Sequence, residues 1–167
     1  MYSARDSDDM DRFFRGLTEH AFFARLGVVD PPLIDYVALM LVRFVRNAPG
    51  CLPPGVGPNE IDDVVRMLAI VQQVPLETAR DGYREIGDYT LFWSGLYPEA
   101  LQRVQYPFRQ DHLLDYRAAG KKAYWIASTI GSEDTAEERQ LLKHLSHEYD
   151  LCVEGLAEVR RAWKESA

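Results

Sequence analysis

Along most of this chain apolar residues recur at intervals of three and four, the spacing of one helix face, and no stretch alternates long enough to predict a strand. The first such pattern covers residues 8–26, with Met10, Phe13, Phe14, Leu17, Ala21, Phe22 and Leu26 on its stripe. Gly27 follows, a residue free to take the left-handed conformation that ends a helix. A second helix opens with Asp30 as N-cap and Pro31 at the first helical position, where a missing N–H costs nothing. Its run over 33–45 is apolar nearly all round, interrupted only by Asp35 and Arg43. A helix of that kind is central to a bundle or buried against a second copy.

Residues 47–58 hold four Pro and three Gly, too dense a mixture for regular structure, and are expected to form a loop. Asn59 then caps a third helix, with Asp62 and Asp63 in its first turn and Ile61, Val64, Val65, Leu68 and Val71 on its stripe. A fourth is expected over 76–94, a short one over 98–105, and a fifth over 109–130. Thr135 followed by Glu138 reads as a capping box, opening a last helix that runs unbroken to about 164. Its stripe is Leu141, Leu142, Leu145, Tyr149, Cys152, Leu156, Val159 and Trp163. No repeat and no shift in composition divides the chain. The expected fold is all-α, an irregular or orthogonal bundle of about six helices in a single domain over 1–167.

At 167 residues the chain can bury roughly 70% of its unfolded surface, enough for a core without covalent staples. Seven Phe, nine Tyr and three Trp belong in that core or around a cavity. A net charge of −7 and a pI near 5.1 disfavour nucleic acid and anionic membrane as partners. The local excess of Arg103, Arg109, Arg117, Lys121 and Lys122 over Asp111 and Asp115 reads as a solvated helix face. Cys51 and Cys152 are far apart and form no Cys-x-x-Cys, which fits a reducing cytosol. The amino-terminal stretch is polar and acidic, with no apolar leader segment.

Motifs of catalysis are missing: there is no Gly-rich phosphate loop and no Gly-x-Ser-x-Gly elbow. His112 with Asp115, and His144 with His147 and Glu148, have helical spacing suited to sharing an ion. Without Glu-x-x-His or His-Glu-x-x-His they do not complete a known metal set, so neither metal nor cofactor is expected. The more informative segment is 85–99. Asp88 stands among Ile86, Tyr89, Leu91, Phe92 and Trp93, next to Gly87, a helix-weakening residue worth about 1 kcal/mol against Ala. Gly120 sits likewise between Tyr116 and Tyr124, beside Lys121 and Lys122. Two helices that each thin out at a glycine can cross closely there. Asp88 is then expected to be buried and bonded to Tyr116, Lys121 or Tyr124, either as a structural anchor or as the polar anchor of a ligand pocket.

The strings Ile86-Gly87-Asp88-Tyr89-Thr90-Leu91-Phe92 and Gly95-Leu96-Tyr97-Pro98-Glu99 resemble a group of bacterial hypothetical proteins. Asp115-Tyr116, Gly120-Lys121, Tyr124, Leu145-Ser146, Glu148, Leu151-Cys152 and Gly155-Leu156 are similar to the same group. The resemblance spans about half the chain, residues 83–160, and implies a helical domain and no particular activity. Two functions are therefore carried forward. One is a non-enzymatic, cytosolic binding or interaction module, acting as a homodimer or with a protein partner. The other is a small-molecule binder or enzyme whose ligand-binding residues are Asp88, Trp93, Tyr116, Tyr124 and Lys121.

Overall fold

A computed structural model describes residues 4–47, 60–99 and 112–166. Regular structure among them is entirely helical: α1 (Ala4–Glu19), α2 (Pro31–Asn47), α3 (Glu60–Val71), α4 (Leu76–Leu96), α5 (His112–Thr129), α6 (Ala136–His147) and α7 (Tyr149–Ser166). No described helix is long and apolar enough to cross a membrane. The expected Pro/Gly-rich loop, the Asn59 cap and most of the short helix over 98–105 lie outside the described residues.

α1 continues into a wider π-helical turn, His20–Arg25, and stops at Gly27, whose φ of 66° is the left-handed conformation expected of it. The π turn presents Phe22 to α7 at Gly155, where a Cβ would overlap the phenyl ring. Asp30 caps α2 as expected, its Oδ1 accepting the Leu33 N–H at 3.3 Å. The apolar run of α2 is covered by the chain itself. Leu33, Ile34, Val37, Ala38, Met40, Leu41 and Val42 are buried, Phe44 and Val45 are partly buried, and Leu39, 57% exposed, is open to solvent.

Two local expectations are corrected. The capping box is Ser132 with Thr135, one turn earlier than expected, and it opens a 3-10 turn at Glu133–Thr135 ahead of α6. Glu138 is instead drawn across to α4, where it pairs with Arg84 at 2.9 Å and Arg80 at 3.4 Å. The last helix is also not continuous: Glu148, with ψ of 18°, separates α6 from α7. The apolar stripe runs through the break, which is why periodicity alone missed it. The break lets α6 pack along α5 while α7 packs along α4.

α4 is the hub, lying against α3, α5 and α7. Leu91, Phe92 and Leu96 enter the main core with α1, α2 and α7, whereas Ala79 and Ile86 enter a second cluster with Val64 and Val71 of α3 and Tyr116 and Ala123 of α5. α4 and α5 interlock by reciprocal notches. A Cβ on Gly87 would lie 2.6 Å from the Tyr124 ring, and one on Gly120 would overlap the Thr90 hydroxyl. Gly87→Ala should therefore lower stability by about 1–3 kcal/mol, the usual effect of overpacking, despite alanine's better helix propensity. A urea unfolding midpoint equal to or above wild type would show that the crossing is not tight at Gly87.

Candidate functional site

Asp88 is the only Asp, Glu, Lys or Arg that is buried among the described residues, at 2% exposure. A carboxylate withdrawn from water at that depth is destabilising by several kcal/mol unless hydrogen bonds and charge replace its hydration. Three donors from two neighbouring helices do so. Tyr124 of α5 donates its hydroxyl to Oδ1 at 2.6 Å, and Tyr36 of α2 donates to the same oxygen at 2.7 Å. Arg43, also on α2, donates Nη2 to Oδ2 at 2.7 Å. Its Nη1 reaches Glu85, one turn from Asp88 on α4, at 2.5 Å, and its guanidinium lies 5.1 Å from the centre of the Phe44 ring.

The cluster follows from helix geometry. Tyr36 and Arg43 are seven residues apart and so share one face of α2, as Glu85 and Asp88, three apart, share one face of α4. The notch at Gly87 admits the Tyr124 ring and brings its hydroxyl to the carboxylate. Burial pushes the Asp88 pKa up, against the Tyr124 and Tyr36 hydrogen bonds and the Arg43 charge that favour the ionised form. Burial and the adjacent Asp88 raise both phenols, so Tyr36 and Tyr124 stay protonated and act as donors.

Of the residues expected around Asp88, Tyr124 is there and the others are not. Lys121 points outward and pairs with Asp150 at 2.5 Å, because a half-exposed ammonium keeps its hydration there. Tyr116 is buried two turns from Tyr124, in the second cluster with α3. Trp93 is turned away from the carboxylate into an aromatic group with Tyr89, Phe92 and Tyr97. Phe44 joins that group by stacking on Phe92 at 4.7 Å. Tyr36, Arg43 and Glu85 were not anticipated. The available signal was Arg43 itself, a charge in a run that is otherwise apolar.

The expected metal-ligand pairs also find their places. His144 Nε2 meets Asp30 Oδ2 at 2.5 Å, tying α6 to the start of α2, and His147 is exposed. The side chains of His112 and Asp115 lie outside the described ones. Among the described residues no three His, Cys, Asp or Glu side chains gather as a metal site. Cys152 is fully buried, and burial with the nearby Glu148 and Asp30 charges pushes its thiol up to about 12, the state of an inert core residue.

A second clamp holds the far end of α4. Arg160 of α7 donates Nη1 to the Leu96 carbonyl at 2.8 Å, grips Glu99 through both guanidinium nitrogens, and lies 5.4 Å from the centre of the Tyr97 ring. No protein-family model, curated protein or solved structure matches the chain.

The second clamp carries a pH signature. The Arg160 hydrogen bonds hold the Glu99 carboxyl below its usual range. Its stabilising contribution is thus complete above the unfolded pKa of about 4.3 and is lost as pH falls through the lower folded value. The gap in urea midpoint between wild type and Glu99→Gln should be widest near pH 7 and close as pH drops toward 3. A gap that stays constant over that range would exclude the ionised pair as its source.

Proposed function

We propose that this chain is a non-enzymatic binding or interaction module of the cytosol, working with a protein partner or a second copy of itself. The observation that supports this reading is the closure of the Asp88 cluster. A general acid or base, or a ligand anchor, has to exchange partners with the molecule it serves. Asp88 instead spends Oδ1 on two hydroxyls and Oδ2 on Arg43, all from its own chain, and those bonds join α2, α4 and α5. A carboxylate bonded in this way acts as a fastener. The acidic surface and the buried free thiol of Cys152 fit a cytosolic setting.

In this reading function lies on the outer faces of the helices. α2 does not by itself require a second copy, since most of its apolar run over 33–45 is buried within the chain. Native mass spectrometry of wild type and Asp88→Asn separates the possibilities. The expected result is an assembly heavier than the single 19.1 kDa chain, with the same composition in both proteins and a lower urea midpoint in the variant. A small molecule retained by wild type and lost from Asp88→Asn would overturn the reading in favour of a ligand pocket. A lone chain with nothing bound, at micromolar concentration, would also count against it.

A further inference from the structure

Leu142, Leu145, Tyr149, Cys152, Leu156, Val159 and Trp163 follow one another at alternating intervals of three and four without a slip, the seam of a single long helix. The chain nevertheless bends between α6 and α7, at Glu148. Sharp turns in helices ordinarily fall at Pro or Gly, and residues 132–154 contain neither. The helical ladder is intact up to the joint and beyond it. The Glu148 N–H donates to the His144 carbonyl at 2.8 Å, and the Glu148 carbonyl accepts the Cys152 N–H at 2.9 Å. With φ of −97° and ψ of 18°, Glu148 stands about 60° in ψ from the helical value near −42°.

Packing holds the bend. Lys121 of α5 grips both sides of it, its carbonyl accepting the Ser146 hydroxyl at 2.7 Å and its Nζ pairing with Asp150 at 2.5 Å. Beyond the joint, Gly155 receives the Phe22 ring, a Cβ on Gly95 of α4 would overlap Leu156, and Arg160 clamps Leu96 and Glu99. Cys152, Leu156 and Val159 are fully buried there, so the core is incomplete without an α7. Those contacts are the same whether α7 comes from its own chain or from a second copy; only the joint differs. A straight joint lets the ladder run through Glu148. It also puts the whole seam on one face of a continuous helix, part of it against its own chain and part against the other copy.

We propose that two copies of this chain pair by exchanging α7. Each α6 and α7 join into one helix through Glu148, and each α7 seats on the α4 of the other copy. The exchange rests on the second-copy reading of the interaction module and supplies its interface.

Lys121 and Asp150 provide the test, because a carbodiimide joins an ammonium to a carboxylate where the two touch. Light and heavy-nitrogen chains are mixed in equal amounts in urea, refolded together, coupled and digested. Exchange puts the two residues of each pair on different chains, so about half of the linked peptides will join a light chain to a heavy one. A second measurement is the native mass of a variant with Gly-Ser-Gly inserted after Glu148. A longer, glycine-bearing joint lets α7 fold back on its own chain and weakens the continuous helix. That variant is expected as a single chain with the circular dichroism of wild type. Links confined to one label, in an assembly heavier than one chain, would overturn the exchange and leave the second-copy reading standing. A lone wild-type chain would overturn both. An insertion variant that stays paired would also contradict the exchange; if that variant does not fold, the labelled links decide.

Discussion

The arrangement of α2, α4 and α5 depends on one constraint: the Asp88 carboxylate is buried between these helices and must be given back the hydrogen bonds it loses from water. Solvation cannot reach it, so the donors have to come from the helices around it. Tyr36 and Arg43 provide them from α2 and Tyr124 from α5. Each donor reaches the carboxylate only from one helix position, so the bonds select a register as well as contribute energy. Hydrophobic packing could accept several sliding positions of α2 on α4; the hydrogen-bonded carboxylate accepts one.

The rest of the fold accommodates that requirement. Gly87 gives up helix propensity so that the Tyr124 ring can lie against the α4 backbone, and Gly120 gives up the same on α5 so that Thr90 and Tyr149 can meet. The interruption at Glu148 lets one apolar stripe serve two neighbours, α5 through α6 and α4 through α7. At its carboxyl end α4 is held by the Arg160 clamp on Leu96 and Glu99, as it is held near its middle by Arg43. Both clamps pair an arginine with an acid of residues 85–99 and rest it against an aromatic ring, Phe44 in one and Tyr97 in the other.

What was legible in the sequence follows the range of the signals. The helical class, the Asp30 cap and the stop at Gly27 are local, and each stands where the pattern of residues placed it. The crossing at Gly87 and Gly120 and the bond from Tyr124 to Asp88 were also within reach, because a glycine inside a helix and an acid among apolar residues both mark a close neighbour. Arg43 and Tyr36 were not, although both stand in plain view. They lie 45 and 52 residues from Asp88, and nothing local says which face of α2 meets which face of α4. Lys121 was an attractive partner by charge and adjacency, but its place on the outer side of α5 sends it to Asp150. Trp93 shares a helix with Asp88 yet faces elsewhere, since five residues on a helix turn a side chain well away from the first.

The claim that Asp88 fastens these helices through its hydrogen bonds is tested most directly by a double-mutant cycle. Urea unfolding of Asp88→Asn, Tyr124→Phe and the double variant measures the coupling between the two side chains apart from the separate effect of each substitution. If the bond anchors the crossing, the double variant will lose less than the sum of the single losses, by about 1 kcal/mol or more. Losses that add to within about 0.5 kcal/mol would contradict it and leave packing at the glycine notches as what positions α5 on α4.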